Sequence, residues 1–159
     1  NSSSQTFFDA SVRACQLSGR RGLLLTQDTS QLPVELPQHV AHFAYVPFKS
    51  LLPRLSALVH HGGIGTTSQA LLAGVPQLVR PMGFDQFDNA QRVLTLGVAR
   101  QLLPRQYQPE AVARTLDALL SAPSIQTRCA ELAQTLSAEK PGTAVAADAL
   151  LALASRRGL

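Results

Sequence analysis

The sequence predicts an α/β domain built on a doubly wound parallel sheet. Five short apolar runs alternate with segments of helical periodicity, which is the pattern of parallel strands joined by crossover helices. The 159 residues are 45% apolar and only 15% charged, which suits one well-buried core. Glycines and a histidine pair follow the third run, where ligands bind in such sheets.

Five segments are predicted to be buried strands because they are short, apolar and bounded mainly by glycine or proline. They are Gly22–Thr26, Val40–Val46, Ala57–His60, Gln77–Arg80 and Val98–Leu102.

The helical segments share apolar residues spaced three to four apart, with glycine or proline near their ends. A first helix carries Phe8, Val12 and Cys15 on one face and ends at Gly19. The later helical segments are Pro47–Arg54, Thr67–Ala73, Asp85–Leu96, Pro109–Ser121, Ser124–Ser137 and Thr143–Arg156. All of residues 1–159 are expected to form a single domain.

The charge pattern argues against nucleic-acid binding. The net charge is +4, but aromatic residues make up only 5% of the chain and the cations are scattered. A small anionic ligand, or loose peripheral attraction to an anionic membrane, suits this mild excess better. No apolar run approaches the roughly 18 residues of a membrane-spanning helix.

A metal site is not expected. The sequence has no D-x-D pair and no HExxH motif, and Cys15 and Cys129 lie far from the histidine pair. The two cysteines also lack CxxC spacing, so a reduced, cytoplasmic setting is expected. No Gly-x-Ser-x-Gly motif of a serine nucleophile occurs.

A glycine-rich turn is predicted between the third strand and the following helix. Gly63 and Gly65 allow the backbone to approach a ligand closely. The helix start offers unpaired N–H groups and the positive end of the helix dipole, and Thr66 and Thr67 add hydroxyl donors. The natural occupant of such a site is a diphosphate; the alternative is that the turn is only a tight connection between strand and helix.

The adjacent histidines are expected to have different roles, because neighbouring strand residues point to opposite faces. We assign His60 to the protein interior and His61 to the predicted diphosphate.

Asp85 and Gln86 follow the next strand and are predicted to lie beside the glycine turn. A carboxylate next to a carboxamide offers acceptors and donors for vicinal hydroxyls of a sugar. The alternative is that Asp85 only caps the helix that it precedes. Asn89 is assigned to the surface or to helix packing, and the alternative is a role in the site.

A dinucleotide site is a competing interpretation. Gly63, Gly65 and Ser68 form an incomplete GxGxxG motif, and Asp85 follows at about the distance of a ribose-binding acid. However, that acid normally comes directly after a strand, whereas Pro81–Phe84 intervenes here, and the histidine pair has no place in the motif.

Taken together, the motifs resemble those of family-1 glycosyltransferases, most closely the bacterial enzymes related to sterol and macrolide glucosyltransferases. The resemblance rests on His60–Thr67, Gly74–Gln77, Pro81, Asp85–Gln86 and Asn89–Ala90. It implies the C-terminal, donor-binding half of a GT-B fold, in which two Rossmann-like domains face each other across a cleft.

The resemblance implies roles for individual residues. His61 matches the position that contacts the donor diphosphate, and Gly65 with Thr66 match the turn that donates to its outer phosphate. Asp85 and Gln86 match the pair that holds the sugar hydroxyls.

The nucleoside contacts match less well. Gln69 stands where plant members have a ribose-binding glutamate. Tyr45, Val46 and Phe48 fall in the segment where plant members carry Trp-x-Pro-Gln. Tyr45 is able to stack on a base and Val46 to present its backbone, but Phe48 does not replace the glutamine amide. The base is therefore left open between uridine and thymidine.

The resemblance also implies that two parts lie outside residues 1–159. The catalytic base, a histidine steered by an aspartate, belongs to an N-terminal acceptor domain. The first strand of the donor domain belongs before Asn1, so the sheet is expected to have a gap unless another segment fills it.

The expected function is the donor-binding half of an inverting, metal-independent hexosyltransferase that uses a UDP- or dTDP-sugar and no cofactor. The chain alone is expected to bind the donor without turning it over. An alternative is a stand-alone nucleotide-sugar-binding subunit that works with a separate acceptor-binding chain. Half of a nucleotide-sugar epimerase is a third possibility.

Overall fold

A computed structural model of the protein describes residues 3–140 and 142–156. The described strands are β1 (Gly22–Leu25), β2 (Val40–Phe43), β3 (Leu58–His60), β4 (Gln77–Val79) and β5 (Ala99–Gln101). Every pairing between them is parallel. The predicted α/β fold with parallel strands is therefore confirmed, with each strand shorter than expected.

The strands form two sheets instead of one continuous sheet. One contains β1 and β2, in register from Gly22 opposite Val40 to Leu25 opposite Phe43. The other has the order β3-β4-β5. The two sheets share no strand pairing among the described residues, which agrees with the gap that the resemblance predicts.

The helices cover the strands in the predicted order. They are α1 (Ser3–Ser18), α2 (Phe48–Leu51), α3 (Ile64–Leu72), α4 (Gln86–Thr95), α5 (Pro109–Leu120), α6 (Pro123–Ala138) and α7 (Gly142–Arg156). Short 3₁₀ turns occur at Thr29–Gln31, Leu52–Arg54 and Pro104–Gln106.

Two boundaries differ from prediction in a way that affects the candidate site. α3 begins at Ile64, not at Thr67, because Gly63 serves as its N-cap residue. β2 ends at Phe43, so the predicted strand residues Tyr45 and Val46 lie in a loop. Strand pairing with β1 stops at Phe43, and nothing in the described sheet extends β2 further.

The main core lies around β4, the middle strand of the larger sheet. All three of its residues are fully buried, and apolar side chains from α1, α4, α5 and α6 pack around it. Immediately after β4, the guanidinium carbon of Arg80 lies 5.7 Å from the ring centre of Phe7 and 5.3 Å from that of Tyr107. These contacts hold α1 against the carboxyl end of β4, at the edge that carries the candidate site.

α7 differs from the other helices because its described side chains are largely exposed. Val145, Leu150, Leu151 and Leu153 are all more than half exposed. Within residues 3–140 and 142–156, no helix has the length and apolarity required to cross a membrane.

Candidate functional site

The glycine turn joins β3 to α3 at the carboxyl edge of the larger sheet. The N–H of Thr67 is the first to be used within the helix, donating to Gly63 O at 3.0 Å. By the geometry of an α-helix, the N–H groups of Ile64, Gly65 and Thr66 are not bonded within α3. Together with the helix dipole they form a positive helix terminus suited to an anion.

The two histidines point to opposite sides, as predicted. His60 is only 7% exposed, whereas His61 is exposed. Their ring centres are 6.5 Å apart and the ring planes are inclined by 77°. The assignment of His60 to the interior is therefore confirmed, and the ligand contact of His61 stays a prediction.

The His61 ring lies across the glycine turn. A Cβ atom placed on Gly63 would come within 2.6 Å of Nε2 of His61. Glycine at this position is what allows the imidazole to lie so close to the start of α3. His61 and the free N–H groups of the helix are thus directed to the same small region.

The backbone of Gly62 is held on both sides of its Cα atom. Its N–H donates to Nδ1 of His60 at 3.1 Å, and its carbonyl accepts from Nδ2 of Asn89 at 3.0 Å. Gly62 has a φ of +92°, a conformation in which residues with a side chain are strained. The turn is therefore fixed by hydrogen bonds as well as by its sequence.

The sequence assigns Asn89 to the surface or to helix packing, with a role in the site as the alternative, and the surface assignment is wrong. The residue is buried, and its amide bonds to Gly62 O and to Oδ2 of Asp85, at 3.0 and 2.8 Å. The available signal was the spacing of Asp85 and Asn89, since residues four apart share one face of a helix.

His60 is also bonded to the interior of the sheet. Its Nε2 lies 2.9 Å from Oε1 of Gln77, a fully buried residue of β4. Burial lowers the pKa of His60 to about 4, and the neighbouring His61 acts in the same direction. The imidazole is consequently neutral at ordinary pH.

Asp85 and Gln86 lie beside the glycine turn, as predicted. A Cβ atom on Gly62 would be 3.1 Å from the backbone oxygen of Gln86, so the start of α4 packs directly on the turn. Asp85 precedes α4 but makes no side-chain capping bond to it. Its exposed carboxylate instead accepts a hydrogen bond from Nδ2 of Asn89. The alternative that Asp85 only caps the helix is therefore not favoured.

Gln86 uses one end of its amide to shape the preceding loop. Oε1 accepts from the N–H of Met82 at 2.8 Å and of Gly83 at 3.3 Å. The loop bends at Phe84, which has a φ of +55° and is 99% exposed. The Nε2 group of Gln86 takes no part in these two bonds, and a sugar contact of Gln86 stays a prediction.

The two threonines of the first turn of α3 differ. Thr67 is buried and its hydroxyl donates to Gly63 O at 2.9 Å, so in this structure it supports the turn. Thr66 is half-buried and Gly65 borders open space. Gln69 is exposed, and its amide donates to Gly65 O at 3.3 Å. Phosphate or ribose contacts of these residues stay predictions.

The residues predicted for the nucleoside lie between β2 and α2. Tyr45 is 73% exposed and Val46 is half-buried. Phe48 begins α2 and packs against the apolar cluster of Leu52, Leu58, Ala70 and Val75. The ring of Phe48 is thus partly used in the core.

In the described part of the chain, no three His, Cys, Asp or Glu side chains are grouped so that they could hold a metal ion. A depression of about 470 Å³ lies at the opposite, amino edge of the larger sheet, near Leu55, Ser56 and Pro76. The only cation among its lining residues, Arg20, is paired with Asp117 at 2.9 Å. It therefore offers a poorer anion site than the glycine turn.

Comparisons with known proteins identify the family of this chain. Residues 22–153 match the family described as erythromycin biosynthesis protein CIII-like, C-terminal domain. Sterol 3-beta-glucosyltransferase of Candida albicans is 36% identical over 114 residues, which cover 71% of this chain and 7% of that protein. Elloramycin glycosyltransferase of Streptomyces olivaceus is 43% identical over 101 residues, which cover 64% of this chain and 25% of that protein.

Solved structures give the same result. The calicheamicin glycosyltransferase CalG4 has a TM-score of 0.81 at 28% identity, covering 96% of this chain and 39% of that one. The glycosyltransferase VinC, solved in complex with dTDP, has a TM-score of 0.80 at 26% identity, and the match covers 96% of this chain and 37% of VinC. The chain thus spans a quarter or less of the two curated relatives named above. It belongs to the erythromycin biosynthesis protein CIII-like C-terminal domain family, the C-terminal, sugar-donor domain of family-1 glycosyltransferases.

Proposed function

We propose that this domain binds the nucleotide-sugar donor of an inverting glycosyltransferase that needs no metal ion and transfers a hexose to an acceptor hydroxyl. The observation that carries the proposal is the open amino end of α3 with His61 lying over Gly63, next to Asp85 and Gln86. Anion and hydroxyl binding groups are thereby placed side by side at one sheet edge.

In this proposal the glycine turn stabilises the leaving diphosphate. As the bond to the sugar breaks, negative charge grows on the diphosphate oxygens. The N–H groups of Ile64, Gly65 and Thr66 are already oriented by the helix, so stabilising this charge requires little rearrangement. His61 adds a hydrogen-bond donor from the strand side, and Thr66 adds a hydroxyl. No metal is then needed to neutralise the diphosphate.

The sugar is held by Asp85 and Gln86. The Asp85 carboxylate is exposed and accepts hydrogen bonds from vicinal hydroxyls, while Nε2 of Gln86 donates to a neighbouring one. The support for this assignment is their position directly against the glycine turn, since the sugar of a nucleotide sugar is attached to the outer phosphate.

The nucleoside lies toward the loop before α2. Tyr45 stacks on the base and the backbone of Val46 faces the base edge, whereas Phe48 offers no amide to it. Gln69 bonds the ribose hydroxyls. We propose a uridine or thymidine diphosphate, and the dTDP complex of the similar VinC structure supports the second option.

The acceptor and the catalytic base belong to an N-terminal domain that deprotonates the acceptor hydroxyl. The curated relatives named above are both more than twice as long as this chain, which favours a two-domain enzyme over a stand-alone donor-binding subunit. The 159 residues alone then bind the donor without turnover. Free Cys15 and Cys129 and a net charge of +4 support a cytoplasmic enzyme with loose attraction to anionic membranes.

The test is calorimetric titration of the chain with UDP, dTDP and their glucose conjugates, with and without EDTA. Exchanging His61 for alanine should weaken binding at least tenfold, because a donor to the diphosphate is lost. His39→Ala, located directly before β2 of the smaller sheet, is the matched control and should leave affinity unchanged. Equal affinity in His61→Ala and wild type, or binding abolished by EDTA, would contradict the proposal.

A further inference from the structure

Four side chains and the backbone of Gly62 form a line of hydrogen-bonded residues between the sheet interior and the candidate sugar site. The line starts at Oε1 of Gln77, passes through both ring nitrogens of His60 to the N–H of Gly62, and continues from the carbonyl of Gly62 through Asn89 to Oδ2 of Asp85. Its four contacts measure between 2.8 and 3.1 Å. We call this set of five residues the Gln77–Asp85 relay.

The partners determine every donor and acceptor in the relay. Nδ1 of His60 accepts a hydrogen bond from the N–H of Gly62, so the ring proton is on Nε2. This Nε2–H group donates a hydrogen bond to Oε1 of Gln77. Asn89 lies between a carbonyl and a carboxylate, both of which only accept, so its NH₂ group faces both. A single tautomer and a single amide orientation satisfy all four contacts.

Burial makes the relay costly unless it is complete. Four of the five residues are buried, namely His60, Gly62, Gln77 and Asn89. A buried polar group without a hydrogen-bond partner destabilises the folded state. A low pKa keeps His60 neutral and Nδ1 free to accept. Only Asp85 is exposed, so the relay runs from the core to the surface of the candidate sugar site.

We propose that His60, Gln77 and Asn89 are positioning residues that set the spacing between the diphosphate turn and the sugar-binding carboxylate. This inference rests on the proposed function. Gly62 lies in the middle of the relay and adjoins His61 in the chain, and one end of the relay is Asp85 itself. A shift of the Gly62 backbone therefore moves the diphosphate and sugar contacts together.

The proposal distinguishes positioning from simple stability. If the relay sets the spacing of two contact groups, breaking it should reduce the affinity for the diphosphate. It should also reduce the additional affinity that the attached sugar contributes. Loss of stability alone would leave the ratio of the two dissociation constants unchanged in the folded fraction.

The experiment is calorimetric titration of the wild-type chain, Asn89→Asp and Gln91→Glu with UDP, dTDP, UDP-glucose and dTDP-glucose. Asn89→Asp keeps the shape of the side chain but places a carboxylate against Gly62 O and Asp85. Gln91→Glu makes the same charge change at an exposed position of α4. With the nucleotide that the wild type prefers, Asn89→Asp should bind at least fivefold more weakly, and its preference for the glucose conjugate should fall at least threefold. Gln91→Glu should match the wild type.

The outcomes are separable. If the wild type binds neither the nucleotides nor their conjugates, the proposed function fails and this inference with it. If the wild type binds and a folded Asn89→Asp binds equally well, only the relay proposal is overturned. If Asn89→Asp does not fold, Asn89→Ala is used instead, because it removes the donors without adding charge. Its nucleotide affinity relative to the wild type and its preference for the glucose conjugate then decide in the same way. Nitrogen-15 NMR of the wild type should show His60 protonated on Nε2; protonation on Nδ1 would also overturn the relay.

Discussion

The glycine turn and the loop that carries Tyr45 are proposed to bind opposite ends of one nucleotide, yet they are built differently. The turn is held by buried hydrogen bonds to His60 and Asn89. The loop follows a strand that ends early, and its aromatic side chain is largely exposed. We infer that the diphosphate subsite is formed before the ligand arrives, whereas the nucleoside subsite depends on contact with the base.

The strongest test of this difference is Gly62→Ala. A Cβ atom there would lie 2.9 Å from a methyl group of Val79 and 3.1 Å from Gln86 O, on a backbone with φ of +92°. Strain and overpacking together should lower the free energy of unfolding by about 4 kcal/mol. Urea unfolding followed by circular dichroism measures the change.

Gly65→Ala is the matched control, because a Cβ atom on Gly65 meets nothing within 4 Å. It should change the free energy of unfolding by no more than about 1 kcal/mol, since alanine suits a helix better than glycine. Similar losses in the two variants would show that the turn is not held as described.

The second prediction concerns pH. The pKa of His60 falls from an ordinary 6.5 to about 4 through burial, so the unfolded chain takes up this proton first as the pH drops. The stability that neutral His60 contributes is complete above about pH 6.5 and is lost progressively toward pH 4. The loss is on the order of 3 kcal/mol.

Urea unfolding at several values between pH 7 and pH 4 measures this dependence. His60→Gln is the comparison, because it cannot titrate in this range. The stability of the variant should fall by clearly less than that of the wild type as the pH is lowered. Parallel curves would mean that other groups cause the acid sensitivity.

The third prediction addresses the loop. Tyr45→Ala should weaken UDP or dTDP binding about tenfold, because stacking of a base on an aromatic ring contributes about 1–3 kcal/mol. The melting temperature should stay nearly constant, since the side chain is 73% exposed. Tyr45→Phe retains the ring and should bind like the wild type. A large drop in stability for Tyr45→Ala would remove the contrast with the turn.

The smallest effect is expected for Gly63→Ala. The added Cβ atom would displace the His61 ring, whose Nε2 is 2.6 Å away and which can swing into solvent. Nucleotide affinity should fall about fivefold, with a loss of stability of at most about 1 kcal/mol from the weaker N-cap. Affinity equal to that of the wild type would indicate that the position of His61 does not matter.

The sequence predicted the order of the strands and helices well, because glycine and proline mark the ends of most segments. It misplaced the start of α3, since Gly63 and Gly65 suggest a turn although Gly65 fits the first helical turn. It also missed the bond between Asn89 and Gly62. That contact joins residues 27 apart in sequence and exists only because α4 packs against the turn.

The break between the sheets was predictable only from the family resemblance. Strand lengths and apolar patterns indicate that β1 and β3 are buried, but they do not reveal which neighbour each strand pairs with. Pairing is decided by the whole winding order, which periodicity does not encode.

Because the sheet is broken, β1 and β3 each pair with a single strand among the described residues. Apolar strands with an unpaired backbone ladder readily recruit extended segments of other molecules. A preparation of the 159 residues is therefore expected to self-associate slowly as its concentration rises. Light scattering should accompany every titration, so that lost material is not mistaken for lost affinity.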